Sequence, residues 1–214
     1  MIPTKICGIT NFPDAECAVN YGAAAIGFIF YEKSPRYISI EKAKSISNEL
    51  PDEVSRIGVF VNHEKSFINE IVESVPLNMV QFHGNESPEF CCSFDLPVIK
   101  AFRIKDDKSI STMDAYKVEA FLLDTYSKNY YGGTGQTFDW TLLKNNMHKS
   151  IILSGGLSLE NILDAINLLN PSAVDVNSGL ELSPGIKDHS KIIDLFNLLR
   201  KMKQIKKYAN LFKY

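Results

Sequence analysis

Two hydrophobic periods alternate along this chain. Short runs dense in Ile, Val, Leu, Phe and Ala recur at Thr4–Cys7, 25–30, 56–61, Met79–Phe82, 98–102, 120–124, 150–153 and Ala173–Val176. Apolar runs of this length, without strict alternation, are the pattern of parallel strands covered on both faces. Longer segments of helical period separate them. In one, Ile162, Leu163, Ala165, Ile166 and Leu169 make a stripe broad enough to pack on a sheet. Polar caps mark where the helices start: Asn11 before Pro13 and Asp14, Ser39 before Glu41, Ser87 before Pro88-Glu89, Thr137 before Asp139, and Ser158 before Glu160.

Strand and helix in strict alternation predict right-handed βαβ units and a parallel sheet. Eight units in 214 residues fit an α/β fold of the (β/α)8 TIM-barrel class, near its lower size limit of about 200 residues. A doubly wound open sheet is the alternative. Its dinucleotide fingerprint is absent from the first strand-to-helix turn, which reads Cys7-Gly8-Ile9-Thr10. No linker or low-complexity tract interrupts the pattern, so residues 1–214 are read as a single domain.

Composition narrows the partners. A formal net charge of -2 gives no field to gather nucleic acid, so any anion must be held locally. No apolar run reaches the roughly 18 residues needed to cross a bilayer, and the amino terminus lacks a basic-then-apolar leader; the expectation is a cytoplasmic protein with no membrane partner. Cys7, Cys17, Cys91 and Cys92 form no C-x-x-C pair and are expected as free thiols. The basic run 200–207, above a stripe of Leu198, Leu199, Met202 and Ile205, reads as the solvated end of an outer helix.

In such a barrel chemistry is done at the carboxyl ends of the strands. Several of these strands finish in reactive or polar residues. The first ends at Cys7, with Lys5 on the same face; the fourth runs into Gln81 and His83, again on one face; the sixth ends at Asp124; the eighth continues through Asp175, Asn177, Ser178 and Gly179. Ser34-Pro35-Arg36-Tyr37 follows the second. Taken singly, each has a plainer role: a thiol as a small buried hydrophobe, a rim histidine, a turn aspartate, a surface cation. Their convergence on one rim sets them apart. Two glycine turns, Ser154-Gly155-Gly156-Leu157 after the seventh strand and Asn177-Ser178-Gly179 after the eighth, suit a phosphate, because glycine lets backbone amides approach an anion and a helix start adds its positive end. A third glycine run, Gly132-Gly133-Thr134-Gly135, lacks the Gly-Lys-[Ser/Thr] of a P-loop; the loop 126–137 is read as a flap over the site.

Taken in order, Lys5-Ile6-Cys7-Gly8-Ile9-Thr10, Ser34-Pro35-Arg36-Tyr37, Gly58-Val59-Phe60-Val61-Asn62, Gln81-Phe82-His83-Gly84, Gly132 to Gly135 with Phe138-Asp139-Trp140, Ser154-Gly155-Gly156-Leu157 and Asp175-Val176-Asn177-Ser178-Gly179 strongly resemble the phosphoribosylanthranilate isomerase family of tryptophan biosynthesis. The resemblance implies an Amadori rearrangement of N-(5-phosphoribosyl)anthranilate to the 1-deoxyribulose 5-phosphate aminoketone, without metal or organic cofactor, in a monomer or homodimer. It implies Cys7 as general base, Asp124 as general acid and Arg36 as partner of the anthranilate carboxylate. Gly155, Gly156, Ser178 and Gly179 would hold the phosphate, and Gln81, His83 and Asp175 would complete the substrate-binding set. Asn177 stands where relatives commonly carry serine, and Gln136 where they often carry a basic residue.

The chemistry suits these residue types. Opening the ribose ring needs a proton on the ring oxygen, which a carboxylic acid can deliver; the resulting imine acidifies the neighbouring carbon, whose proton a thiolate can take. An ordinary thiol titrates near pH 8.5, so some positive potential at Cys7 is expected, from Lys5, His83 or the imine. A ribulose-phosphate epimerase is a rival reading, but would need metal-binding histidines and acids on several strands. Indoleglycerol-phosphate synthase is another, but would need a catalytic lysine and an amino-terminal extension. A barrel that only binds a phosphosugar is a third.

Overall fold

The computed structural model describes residues 1–125, 150–202 and 211–212. Along them run β1 (Thr4–Cys7), α1 (Phe12–Tyr21), β2 (Ala25–Ile29), α2 (Ile40–Glu49), β3 (Ser55–Phe60), α3 (Lys65–Ser74), β4 (Met79–Phe82), α4 (Pro88–Cys91), β5 (Val98–Ile104), α5 (Asp107–Ser111), β6 (Ala120–Thr125), β7 (Ile151–Leu153), α6 (Ile162–Leu169), β8 (Ala173–Val176), the short pair β9 (Glu181–Ser183) and β10 (Ile186–Lys187), and α7 (His189–Lys201). β1 to β8 are parallel neighbours in sequence order, and β8 pairs back onto β1, closing the barrel. The (β/α)8 expectation holds and the open sheet is excluded. Each of the eight sequence-read strands is present; β5 runs two residues beyond its expected end, to Ile104.

Asn11, Ser39 and Ser87 cap as expected, each accepting a hydrogen bond from a backbone N–H three residues on. Ser158 does not cap α6. Its carbonyl accepts from the N–H of Asn161 and Ile162, and one extra turn carries the chain to a helix that starts at Ile162. The hairpin β9–β10 was not foreseen. Pro184-Gly185 turns it, with Gly185 at φ +83, the left-handed backbone that a turn after proline asks of its next residue. Thr137, Gly132 to Gly135, Gln136, Phe138 to Trp140, the loop 126–137, His148 and residues 203–207 of the basic run lie outside the described residues.

Side-chain alternation splits the core in two. Outward positions such as Ile6, Phe28, Phe60, Phe82, Phe121 and Val174 meet the helices. Inward positions Ala25, Ile57, Met79, Ile99, Ala101, Ala120, Leu122, Ile152 and Ala173 fill the lower barrel, and the fully buried Phe212 packs among them. The Phe212 carbonyl accepts from Ser55 Oγ at the first residue of β3, which fixes the ring at the amino-terminal ends of the strands. The other end is left for polar groups. Among the described residues no helix is long and apolar enough to cross a membrane.

Candidate active site

Moving up each strand from that apolar floor, the next inward position is polar. On β6, Ala120 and Leu122 give way to Asp124; on β8, Ala173 gives way to Asp175; on β4, Met79 gives way to Gln81 and then His83. On β1 both inward positions, Lys5 and Cys7, are polar. All of these side chains are buried.

They form two connected groups. In the first, Gln81 Nε2 lies 3.1 Å from His83 Nδ1, and His83 Nε2 lies 3.0 Å from Asp124 Oδ2. The other Asp124 oxygen accepts from the Thr125 N–H at 2.7 Å. A proton can thus pass between imidazole and carboxyl, and the row is held from β4. Behind it a buried ion pair, Lys100 to Glu86 at 2.9 Å, fixes the turn after His83: Lys100 also donates to the Gly84 carbonyl, and Glu86 accepts from the Gly84 and Asn62 N–H.

In the second, Lys5 Nζ donates to Asp175 Oδ1 at 2.9 Å across the seam that closes the barrel, and Cys7 stands one inward position above. Burial is the largest influence on the Cys7 thiol and pushes it up; Lys5 and Lys187 pull the other way. Lys5 is held above its ordinary value, since Asp175 and the thiol together outweigh the downward push of burial. His83 is engaged with Asp124, and the cations that act on the thiol are Lys5 and, less strongly, Lys187.

Arg36 reaches the rim because the chain after β2 folds back: Ile38 N–H donates to the Ile29 carbonyl, bridging Tyr37 to the strand end. The guanidinium is buried and forked onto Glu181, with Nε donating at 2.8 Å and Nη2 at 2.7 Å. Glu181 also accepts from Lys187 Nζ at 3.0 Å, and Lys187 reaches the Asn177 side chain at 2.8 Å. Burial would raise the Glu181 carboxyl, but Arg36 and Lys187 hold it below the usual glutamate range. The Lys187 ammonium is pushed down by its own burial, which Glu181 only partly counters. Sequence reasoning missed Glu181 and Lys187. Its one usable signal was Pro184-Gly185 between them, which marks a hairpin able to fold both back onto the rim. Asp14, three residues past the first cap, anchors this hairpin by accepting from the Lys187 N–H at 2.8 Å, and pairs with His189 at 2.8 Å.

The two glycine turns meet. A Cβ on Gly179 would stand 2.1 Å from the Leu157 carbonyl oxygen, and one on Gly155 would stand 2.5 Å from Thr125 Oγ1 and 2.9 Å from Asp124 Oδ1. Gly155 and Gly156 both have positive φ. Close approach therefore explains Gly155 and Gly179 without any ligand, and it also sets the turns after β7 and β8 side by side beside Asp124. The expected helix start does not stand directly behind Gly156, since α6 begins at Ile162; the Asn161 side chain instead ties the turn, donating to the Gly156 carbonyl at 2.9 Å. Ser178 and Gly179 lie in a short 3-10 turn, Ser178–Leu180. All four cysteines are free.

The family model described as N-(5'-phosphoribosyl)anthranilate (PRA) isomerase matches residues 4–198. The chain belongs to this isomerase family. A relative named N-(5'-phosphoribosyl)anthranilate isomerase, from Pseudomonas fluorescens (strain Pf0-1), is 47% identical over 201 residues, covering 93% of this chain and 98% of its own length. The solved phosphoribosyl anthranilate isomerase of Thermotoga maritima superposes with a TM-score of 0.86 at 42% identity, over 94% of this chain and 100% of that one. Another phosphoribosyl anthranilate isomerase, solved in complex with reduced 1-(o-carboxyphenylamino)-1-deoxyribulose 5-phosphate, gives a TM-score of 0.82 at 40% identity, over 94% and 100%. Isomerases of this family carry out an Amadori rearrangement in tryptophan biosynthesis and need no cofactor. Neither rival barrel enzyme is needed to account for the site.

Proposed function

We propose that this chain, as a single barrel domain, converts N-(5-phosphoribosyl)anthranilate to 1-(2-carboxyphenylamino)-1-deoxyribulose 5-phosphate, with Asp124 as general acid and Cys7 as general base. The observation that carries the assignment of roles is the convergence of a thiol on β1 and a carboxyl on β6 at the same mouth, each tied to its own polar group.

Asp124, in its acid form, gives a proton to the ring oxygen; the C1'–O bond breaks and the anthranilate nitrogen supplies the electrons for a C1'=N iminium. The Cys7 thiolate then takes the proton from C2', and the C–H electrons form the C1'=C2' enolamine. Tautomerisation moves the hydroxyl proton of C2' to C1' and gives the ketone, and the proton that Cys7 took from C2' passes by way of solvent to the Asp124 carboxylate, so that thiolate and acid are both restored. Positioned acid and base groups of this kind commonly contribute about 10²–10⁴ each. His83, held by Gln81, fixes the Asp124 carboxyl and offers it a proton path.

The Nε and Nη2 edge of Arg36 is engaged by Glu181, which leaves the Nη1 side of the fork for the anthranilate carboxylate. Gly155, Gly156, Ser178 and Gly179 line the adjoining turns where the phosphate would sit, and Asp175 lies below the sugar. Purified protein mixed with N-(5-phosphoribosyl)anthranilate is expected to abolish the substrate's fluorescence catalytically. Loss no faster than one equivalent per enzyme would leave a phosphosugar-binding barrel instead. Cys7→Ala is expected to lower turnover by about 10² or more with the fold intact, and near-normal turnover in that variant would remove Cys7 from the mechanism.

A further inference from the structure

Lys5 and Cys7 are alternate residues of β1, so both side chains enter the barrel and the ammonium lies beneath the sulfur. Lys5 is 0% exposed, and its partner across the seam is Asp175. The third wall is Gly27, opposite Cys7 on β2. A Cβ at Gly27 would stand 2.8 Å from Cys7 Sγ and 3.1 Å from both Lys5 Cε and Nζ. Gly27 is not needed for a left-handed backbone. Its missing side chain is the space that sulfur and ammonium share. A buried ion pair could serve closure of the barrel alone, yet a pair with no further task is often matched by apolar residues of the same volume. Among the described residues, the charged groups that act on the thiol are Lys5 from β1, Asp175 from β8 and Lys187 from β10, with Glu181 and Arg36 behind Lys187.

We propose that Lys5 is the activating cation of Cys7: a fixed, fully buried ammonium, oriented by Asp175, beside which the thiol releases its proton to solvent and persists as the thiolate that attacks C2'–H. This deepens the reading of Cys7 as the base and rests on it. Asp175 here is a positioning residue for Lys5 as well as a neighbour of the sugar. Burial opposes the thiolate and Lys5 is the strongest influence in its favour.

The test is the pH dependence of Cys7 alkylation by iodoacetamide in substrate-free protein. It is read by mass spectrometry on the Cys7 peptide, with the exposed Cys92 as internal reference. In Lys5→Met the Cys7 midpoint is expected to rise by roughly one pH unit or more, the size of effect that an opposite charge within a few ångströms exerts, while Cys92 does not move. The kcat/KM at pH 7 should fall about tenfold or more, with the deficit narrowing toward pH 9. A folded Lys5→Met protein with an unchanged Cys7 midpoint overturns the proposal. Should that variant fail to fold because Asp175 is left unpaired, Lys5→Met/Asp175→Asn is compared with Asp175→Asn, since the Asp175 charge itself pushes the thiol up: a midpoint higher in the double variant than in Asp175→Asn supports the role and an equal one refutes it. Turnover surviving in Cys7→Ala would instead defeat the base assignment and leave the thiol titration as it stands, so the two failures are distinguishable.

Discussion

The lower and upper halves of the barrel interior are built on the same strands and differ in everything but geometry. At the floor, four alanines and Ile57, Met79, Ile99, Leu122 and Ile152 enclose Phe212. Two residues further along β4, β6 and β8, the same inward rows carry Gln81, Asp124 and Asp175, and β1 adds Lys5 and Cys7. Strand alternation fixes which residues point in, and nothing in it requires them to be alike. The floor follows the hydrophobic rule and supplies stability. The mouth breaks it with buried charges, each offset by a neighbour, and that departure is where chemistry becomes possible.

Substitutions can separate the halves. The largest expected effect is at the mouth: Asp124→Asn should lower turnover by about 10² or more while the melting temperature stays close to that of the wild type; steady-state kinetics beside calorimetry would show it, and a large loss of stability with normal turnover would invert the assignment. Phe212→Ala should do the reverse, costing about 3–5 kcal/mol in denaturant unfolding by opening a cavity among the floor alanines, with kcat/KM within about twofold under conditions where the protein is folded. Arg36→Ala should raise KM about tenfold or more, the loss of one charge-assisted contact, with kcat less affected; an unchanged KM would count against its role toward the carboxylate.

The smallest effect concerns pH. Because the Glu181 pKa is depressed in the folded protein, its contribution to stability is complete above its ordinary value of 4.5 and is lost as pH falls through the lower folded value. Glu181→Gln should therefore flatten the acid limb of a stability–pH curve below about pH 4.5. A limb as steep as that of the wild type would place the acid sensitivity elsewhere.

Much of this was legible in the residues alone. The strands could be read because parallel strands, covered on both faces, need no alternation to be seen, and Asn11, Ser39 and Ser87 because a cap acts over three residues. Cys7, Asp124 and Arg36 were legible as a set, from their places at strand ends and from the family motif. Glu181 was hidden because the bond that explains it spans 145 residues of sequence, and nothing local distinguishes it from a solvated acid on a hairpin. Phe212, near several lysines, reads as part of a tail; only the row of small inward residues on other strands makes room for its ring. Ser158 misled because a serine ahead of an acid also starts a tight turn.

The seam between β1 and β8 joins Lys5 to Asp175 across 170 positions of the chain. Contacts of such separation form late, since the loop that links them must first surrender its freedom. Before that docking the sulfur is an everyday thiol in water, with no ammonium beneath it. On the role proposed for Lys5, competence as a base and completion of the cylinder arrive in one event, and regain of turnover after dilution from denaturant would time the moment when β8 finds β1.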